Sequence, residues 1–242
     1  MSAARILALE ESGSTNDEAR WRAEAGERGP LWITAKRQTA GRGRRGRLWE
    51  TGKGNLAATH LFITERAPGE AAQVSFVAAL AVADLASIYV DASLVRLKWP
   101  NDTLIAGRKT AGILVESGAA PASGLWLAVG MGVNLATPPS GTDRPATAFS
   151  EHMAAPPPPP LEALQHLDGR FSHWRRIWDR QGFSPIAEAW TARAHGLGAR
   201  CRVCLAQQTL EGVAEGLDAD GALRLRTDAG DVLRITAGDV FF

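Results

Sequence analysis

The chain has 242 residues, 45% hydrophobic and 22% charged, the balance of a folded globular protein and not of a disordered, collagen-like or coiled-coil chain. At roughly 150 residues per domain, this length predicts one large domain or a domain with a small companion. Lys and Arg number 27 against 26 Asp and Glu, a net charge of +1, which excludes a globally basic nucleic-acid binder and makes any cationic site local.

In chain order, Arg5 to Leu9 is read as a short strand and Asn16 to Ala25 as a helix, capped by Ser14, Thr15 or Asn16. The opening MSAARILALEESGSTN turns acidic too early for a secretory leader. Leu31 to Ala35 is a strand. Gln38 to Gly54 is Gly- and Arg-rich without apolar periodicity, hence a loop lacking apolar anchors. Asn55 to Ile63 is a strand, and Glu70 to Tyr89 one long helix with Val74, Val77, Ala78 and Ala81 at buried-face spacing. No apolar run is read as reaching the ~18 residues of a membrane span, so no membrane association is expected. Val95 to Trp99 is a strand, and Thr103 to Ile105 pairs with Ala111 to Glu116 as a hairpin around Ala106–Lys109. Leu125 to Leu135 is an apolar strand. Five prolines, Pro156 to Pro160, lead into helices at Leu161 to Arg180 and Pro185 to Ala194. From Arg200 the texture becomes short alternating strands, with a turn at Asp218–Gly221. The expected class is α+β: residues 1–195 form a mixed β-sheet with helices packed on it, and residues 196–242 a small β-barrel. Cys201 and Cys204 lie three apart on a strand, facing opposite ways, and are read as packing residues. Two cysteines in a chain this long fit a reducing cytoplasm.

The sharpest motif is GRGRRGR, Gly41 to Arg47 (Gly41, Arg42, Gly43, Arg44, Arg45, Gly46, Arg47). Lys36 to Arg47 holds six cations and no acid, leaving the rest of the chain net acidic. Alternating glycines let backbone amides approach anionic oxygens, and Arg supplies planar forks for phosphate. A solvated basic loop or a nucleic-acid patch is the competing reading, but a small phosphate-bearing ligand fits better. The second motif is KWPND, Lys98 to Asp102, with Asn101 and Asp102 starting a turn. The hairpin returns Lys109 to Asp102, and two lysines with one carboxylate could neutralise a phosphate and hold magnesium; an exposed salt bridge is the plainer alternative. Ser12 to Asn16 (SGSTN) reads as a helix cap that can also meet polar ligand groups. Gly130 to Leu135 (GMGVNL) ends a buried strand at Asn134, suited to a nucleobase or ribose. There is no Walker loop and no G-x-S-x-G elbow, and the five histidines have no metal spacing.

In this order, STN, QTAGRGRRGRLW, KWPND, Lys109-x-x-Gly-Ile-Leu-x-Glu and GVN resemble the biotin protein ligases, and the β-rich tail is similar to that family's small C-terminal barrel. The resemblance implies a two-step ligase. ATP activates biotin to biotinyl-AMP with magnesium present; biotin then passes to a lysine of a biotin carboxyl carrier protein or domain. It further implies that Ser14, Thr15, Asn16, Gln38, Arg42, Arg44, Lys109 and Gly112 bind biotin. The phosphates and nucleotide would fall to Gly41–Arg47, Trp49, Asn101 and Asn134. Lys109, Arg44, Lys98 and Asp102 would be catalytic, with Asp102 orienting the acceptor lysine. Because the ligase motifs begin at Ser14, no DNA-binding domain and no repressor role are expected. The segment after Asn134 (ATPPSGTDRPATAF) is shorter and richer in Pro than a loop closing over adenine would suggest. A lipoate or octanoyl ligase and a non-catalytic nucleic-acid module are the alternatives. A cytoplasmic enzyme is expected, and a homodimer stays open because no exposed apolar stripe is legible.

Overall fold

The computed structural model describes residues 4–142 and 145–242, so Asp143 and Arg144 of the segment after Asn134 lie outside the described residues. Seven strands form the main sheet: β1 (Arg5–Ser12), β2 (Leu31–Gln38), β3 (Leu56–Thr64), β4 (Val95–Lys98), β5 (Asp102–Ile105), β6 (Arg108–Ala119) and β7 (Leu125–Val133). Their spatial order is β1-β2-β3-β7-β6-β5-β4. Only β1 and β2 pair in parallel, through a crossover containing α1 (Thr15–Glu24); the other neighbours are antiparallel.

Period-2 alternation gives the sheet two different faces. On one, Leu31, Ile33, Leu61, Trp126 and Ala128 pack under Ala19 and Ala23 of α1. On the other, Trp32, Phe62, Leu127, Val129 and Met131 join the large core. That core lies under α3 (Val74–Tyr89), α4 (Pro160–Gln181) and α5 (Ser184–Thr191). α3 is apolar almost all round because it is enclosed between the sheet and α4. α4 starts at the last of the five prolines, where a missing N–H costs nothing. It buries Leu164, Leu167, Phe171 and Trp178 along one face.

Two expectations change. The helix expected over 70–89 is two: α2 (Pro68–Ala71) and α3, joined at Ala72–Gln73 by tight i→i+3 hydrogen bonds. Gln73 there accepts a hydrogen bond from the Trp178 indole, 3.1 Å away. The Pro68–Tyr89 stretch is long and apolar enough for a membrane span, yet is mostly buried in the core. The C-terminal sheet consists of β8 (Arg200–Cys204), β9 (Thr209–Leu217), β10 (Leu223–Arg226), β11 (Val232–Ile235) and β12 (Asp239–Phe241), in the order β11-β10-β9-β8-β12. It is small and antiparallel as expected, and among the described residues β11 and β12 stand at the two ends of that order. Val203, Ala214, Leu223 and Leu225 of this sheet region pack into the same core as α3 and α5. Trp99 donates to the Gly221 carbonyl at 3.0 Å across the same junction. Cys201 is buried, Cys204 half-buried, and both thiols are free.

Candidate active site

One cavity of about 430 Å³ opens over the α1 face of the sheet, between α1, the arginine loop and the tip of the C-terminal sheet. Most of the residues singled out in the sequence line it: Ser14, Thr15, Asn16, Gln38, Arg42, Arg44, Trp49, Asn101, Asp102, Lys109, Gly112 and Asn134. The floor exists because β6 and β7 carry glycines where their neighbours carry side chains. Gly112 and Gly132 are cross-strand partners. A Cβ on Gly132 would lie 2.2 Å from the Trp49 ring, and one on Gly130 2.4 Å from Asn16 Oδ1.

At one end the polar groups are linked to one another. Ser14 caps α1 with its hydroxyl on the Asn16 amide, 3.3 Å. Gln38 Oε1 accepts from the Thr15 amide (2.9 Å) and hydroxyl (3.2 Å), while its Nε2 donates to Thr51. Thr59 on β3 reaches Asn16 Oδ1 at 2.7 Å, and Asn16 Nδ2 donates to Glu116 at 2.7 Å. Arg42 closes the network with a two-pronged contact to Asp17 (2.5 and 2.8 Å) and a third to Glu116 (3.0 Å). These bonds raise the Arg42 pKa, and the same guanidinium holds Asp17 below its ordinary value. In this structure Arg42 therefore serves two carboxylates beneath the floor.

The other end is cationic. Lys109 Nζ stands 2.5 Å from the buried carboxylate of Asp102 and 5.5 Å from the Trp49 ring centroid. Along a regular strand Lys109 and Gly112, three apart, would face opposite ways. The β5–β6 register slips between Thr103 and Leu104, and the extra residue on β6 turns Lys109 to the face of Gly112 and Asp102. Arg44 donates to Asn101 Oδ1 and to the Gly238 carbonyl, both at 3.2 Å, and burial lowers its pKa. Arg45 and Arg47 pair with Asp239 of β12, at 3.2 and 2.6 Å.

The placement also departs from the sequence reading. Lys98, expected to be catalytic, is not in the cavity lining; its ammonium lies over the Phe241 ring at 5.8 Å. Gly41, Arg45 and Gly46 are likewise absent from the lining, although Gly41 permits the close approach of the Trp49 carbonyl. Asn134 lines the cavity, but its side-chain NH2 donates to Thr147 O at 3.0 Å. The loop has an apolar anchor after all, the Trp49 indole on Gly112 and Gly132, with Leu48 left 79% exposed beside it. Asp17, Thr59 and Asp239 escaped sequence reasoning, while Glu116, Gly130 and Gly132 lay inside motifs it singled out but were given no role of their own. The paired glycines on alternate positions of β7 were the one signal that could have marked the floor. Among the described residues no three His, Cys, Asp or Glu side chains cluster as a metal site.

Comparison with known proteins places this geometry. The model of the biotin/lipoate A/B protein ligase family matches residues 9–134, and that of the biotin protein ligase C-terminal domain matches residues 196–242. A biotin–[acetyl-CoA-carboxylase] ligase of Paracoccus denitrificans is 40% identical over 241 residues, covering 97% of this chain and 99% of the relative. Among solved structures, biotin protein ligase from Aquifex aeolicus in complex with biotin and ATP superposes with a TM-score of 0.82 at 25% identity, covering 98% of this chain and 97% of the other. That from Leishmania major in complex with biotinyl-5-AMP superposes with a TM-score of 0.69 at 27% identity, covering 96% and 98%.

Proposed function

The chain belongs to the biotin protein ligase family, and from that premise we propose that it joins biotin to a lysine of a biotin carboxyl carrier protein or domain at the expense of ATP. The observation that carries this reading is the polarity of the cavity. Its head end offers a neutral, hydrogen-bonding surface for a ureido ring, and its other end offers cations for a carboxylate and a phosphate.

In the first step the biotin carboxylate attacks the α-phosphorus of ATP, forming the mixed anhydride and releasing pyrophosphate. Two anions must meet, so the chief requirement is charge neutralisation in a water-poor site. Lys109 and Arg44 supply it, and Gly112 lets the ligand pass close to the backbone. Ser14, Thr15, Asn16 and Gln38 hold the head group, and Arg42 fixes Asn16 through Glu116. In the second step the acceptor lysine attacks the anhydride carbonyl, forming the amide and releasing AMP, with Asp102 orienting the incoming amine. Magnesium fits as an ATP-borne ion, because it usually keeps phosphate and water ligands with one or two carboxylates. Asp102 and Asp239 are the oxygen donors at the cationic end, and the ion, when bound, offsets charge on the departing pyrophosphate.

We read residues 1–195 as the ligand-binding part and 196–242 as the companion that seats the arginine loop. An ATP-consuming ligase with free thiols suits the cytoplasm. A nucleic-acid role is disfavoured by the pairing of the loop cations with Asp17, Glu116 and Asp239. The test is incubation with ATP, magnesium, biotin and a carrier domain. A mass gain of one biotinyl group on the carrier, lost when the carrier lysine is replaced, is expected; no gain would overturn the reading.

A further inference from the structure

Two side chains behind the head-group end, Glu116 of β6 and Thr59 of β3, do not line the cavity, yet both bind Asn16, which does. The direction of the hydrogen bonds between them follows from one charge. Arg42 can only donate, and a carboxylate can only accept. Arg42 Nη2 meets both oxygens of Glu116, at 3.0 and 3.1 Å, and Asn16 Nδ2 meets Oε2 at 2.7 Å. The Asn16 amide therefore stands with its NH2 toward Glu116 and the Leu114 carbonyl (3.3 Å) and with Oδ1 toward Thr59. Thr59 Oγ1, 2.7 Å from that oxygen, commits its one hydrogen there. Toward Thr15 Oγ1, at 2.8 Å, it can then only accept. Gln38 Oε1 is fixed as an acceptor in the same way, because it takes the Thr15 backbone N–H at 2.9 Å while Nε2 donates to Thr51. Thr15 thus gives its hydroxyl hydrogen to Gln38 or Thr59, and neither neighbour uses its lone pairs.

An Asn16 amide turned the other way would reverse this order. Its NH2 would donate to Thr59, Thr59 would donate to Thr15, and one lone pair that Thr15 can offer a ligand N–H would be taken up. We propose that Glu116 is a positioning residue whose negative charge, relayed through Asn16 and Thr59, sets this end of the cavity to accept hydrogen bonds, and so to take a head group that carries N–H donors. The inference rests on the ligase reading above, in which that head group is the ureido ring of biotin. In Glu116→Gln the single oxygen goes to the Arg42 cation and the NH2 is left facing Asn16, which must then present its own oxygen and turn over.

The test is steady-state pyrophosphate release by the full chain with biotin varied at saturating ATP and magnesium, together with calorimetric titration by biotin alone. Glu116→Gln, and Thr59→Val, which replaces the hydroxyl by a methyl group, should each raise the KM and the Kd for biotin roughly 10-fold, the scale of one lost hydrogen bond. Their kcat should stay within about 3-fold of wild type, since contacts at this end are alike in the ground and transition states. Thr59→Ser keeps the hydroxyl and should stay within about 2-fold of wild type in KM and Kd. Asp17→Asn loosens Arg42 but leaves Asn16 facing a carboxylate, so its KM should rise less than that of Glu116→Gln. If circular dichroism finds Glu116→Gln unfolded, the Val and Ser variants at position 59 decide alone. An unchanged KM in Glu116→Gln or Thr59→Val, or a kcat that falls while KM stays, would overturn the proposal. So would a Ser variant as weak as Val, or Asp17→Asn as weak as Glu116→Gln, which would mean that Glu116 only holds Arg42. Wild type that binds no biotin and releases no pyrophosphate would overturn the ligase reading itself.

Discussion

The two ends of the cavity are built on different terms. At the head-group end, polar side chains of α1, β2 and β3 hydrogen-bond their neighbours: Thr15 with Gln38, Asn16 with Glu116 and Thr59. At the cationic end, Arg44, Arg45 and Arg47 sit on a loop and reach a carbonyl and a carboxylate of the distant β12 region. Partly exposed ion pairs of that sort contribute about 0–1 kcal/mol each. The difference teaches how the two ends are held: one by hydrogen bonds between regular elements, the other by weak ion pairs that phosphate oxygens could replace.

The rigid end should break first under acid, and from behind. His60 follows Thr59 on β3 and points to the opposite face, against Trp32 and Phe171. Burial, with Arg175 nearby, pushes its pKa down to about 3. The unfolded chain protonates this histidine near pH 6.5, so its contribution is full above that value and is lost as pH falls toward 3. The loss is on the order of 5 kcal/mol. Denaturant unfolding at pH 7, 5.5 and 4.5 should show a steeper decline for wild type than for His60→Phe; equal slopes would contradict a neutral buried His60.

At the cationic end, Lys109→Ala should lower pyrophosphate release by about 10²-fold or more, the scale for one transition-state charge partner. Adding Asp102→Asn should recover stability, because it removes the carboxylate left unpaired, but should not recover the rate. Arg44→Gly should weaken retention of the adenylate by roughly 10- to 100-fold, the worth of a charge-assisted phosphate contact. Streptavidin blots should then reveal labelling of bystander albumin, absent with wild type. The smallest effect belongs to Asp239→Asn. Freeing Arg45 and Arg47 should change the KM for ATP by only about 2- to 5-fold, with a steeper dependence on salt. A loss as large as that of Lys109→Ala would mean that β12 builds the site and does not merely seat the loop.

The sequence by itself determined the elements and the motifs. Alternation and capping marked β1 to β7 and α1 within a few residues, because these signals are local. GRGRRGR and KWPND declared a phosphate-sized charge problem because cations and glycines at that density have few other uses. Only the tertiary structure decided which of those cations face the cavity. Lys98 is the cross-strand partner of Asp102, yet a one-residue slip in β6 turns Lys109 to that carboxylate while Lys98 lies over Phe241. Asp17 and Asp239 were illegible, and the role of Glu116 was too, for the same reason: what an acid pairs with has no local pattern, and it arises when a strand 74 residues away from Arg42, or one 192 residues away from Arg47, is laid beside it. Barrel closure was left to the same level, since short alternating strands specify only an antiparallel sheet. Whether its edges close depends on what apolar surface lies beneath, and here that surface is the core under α3 and α5.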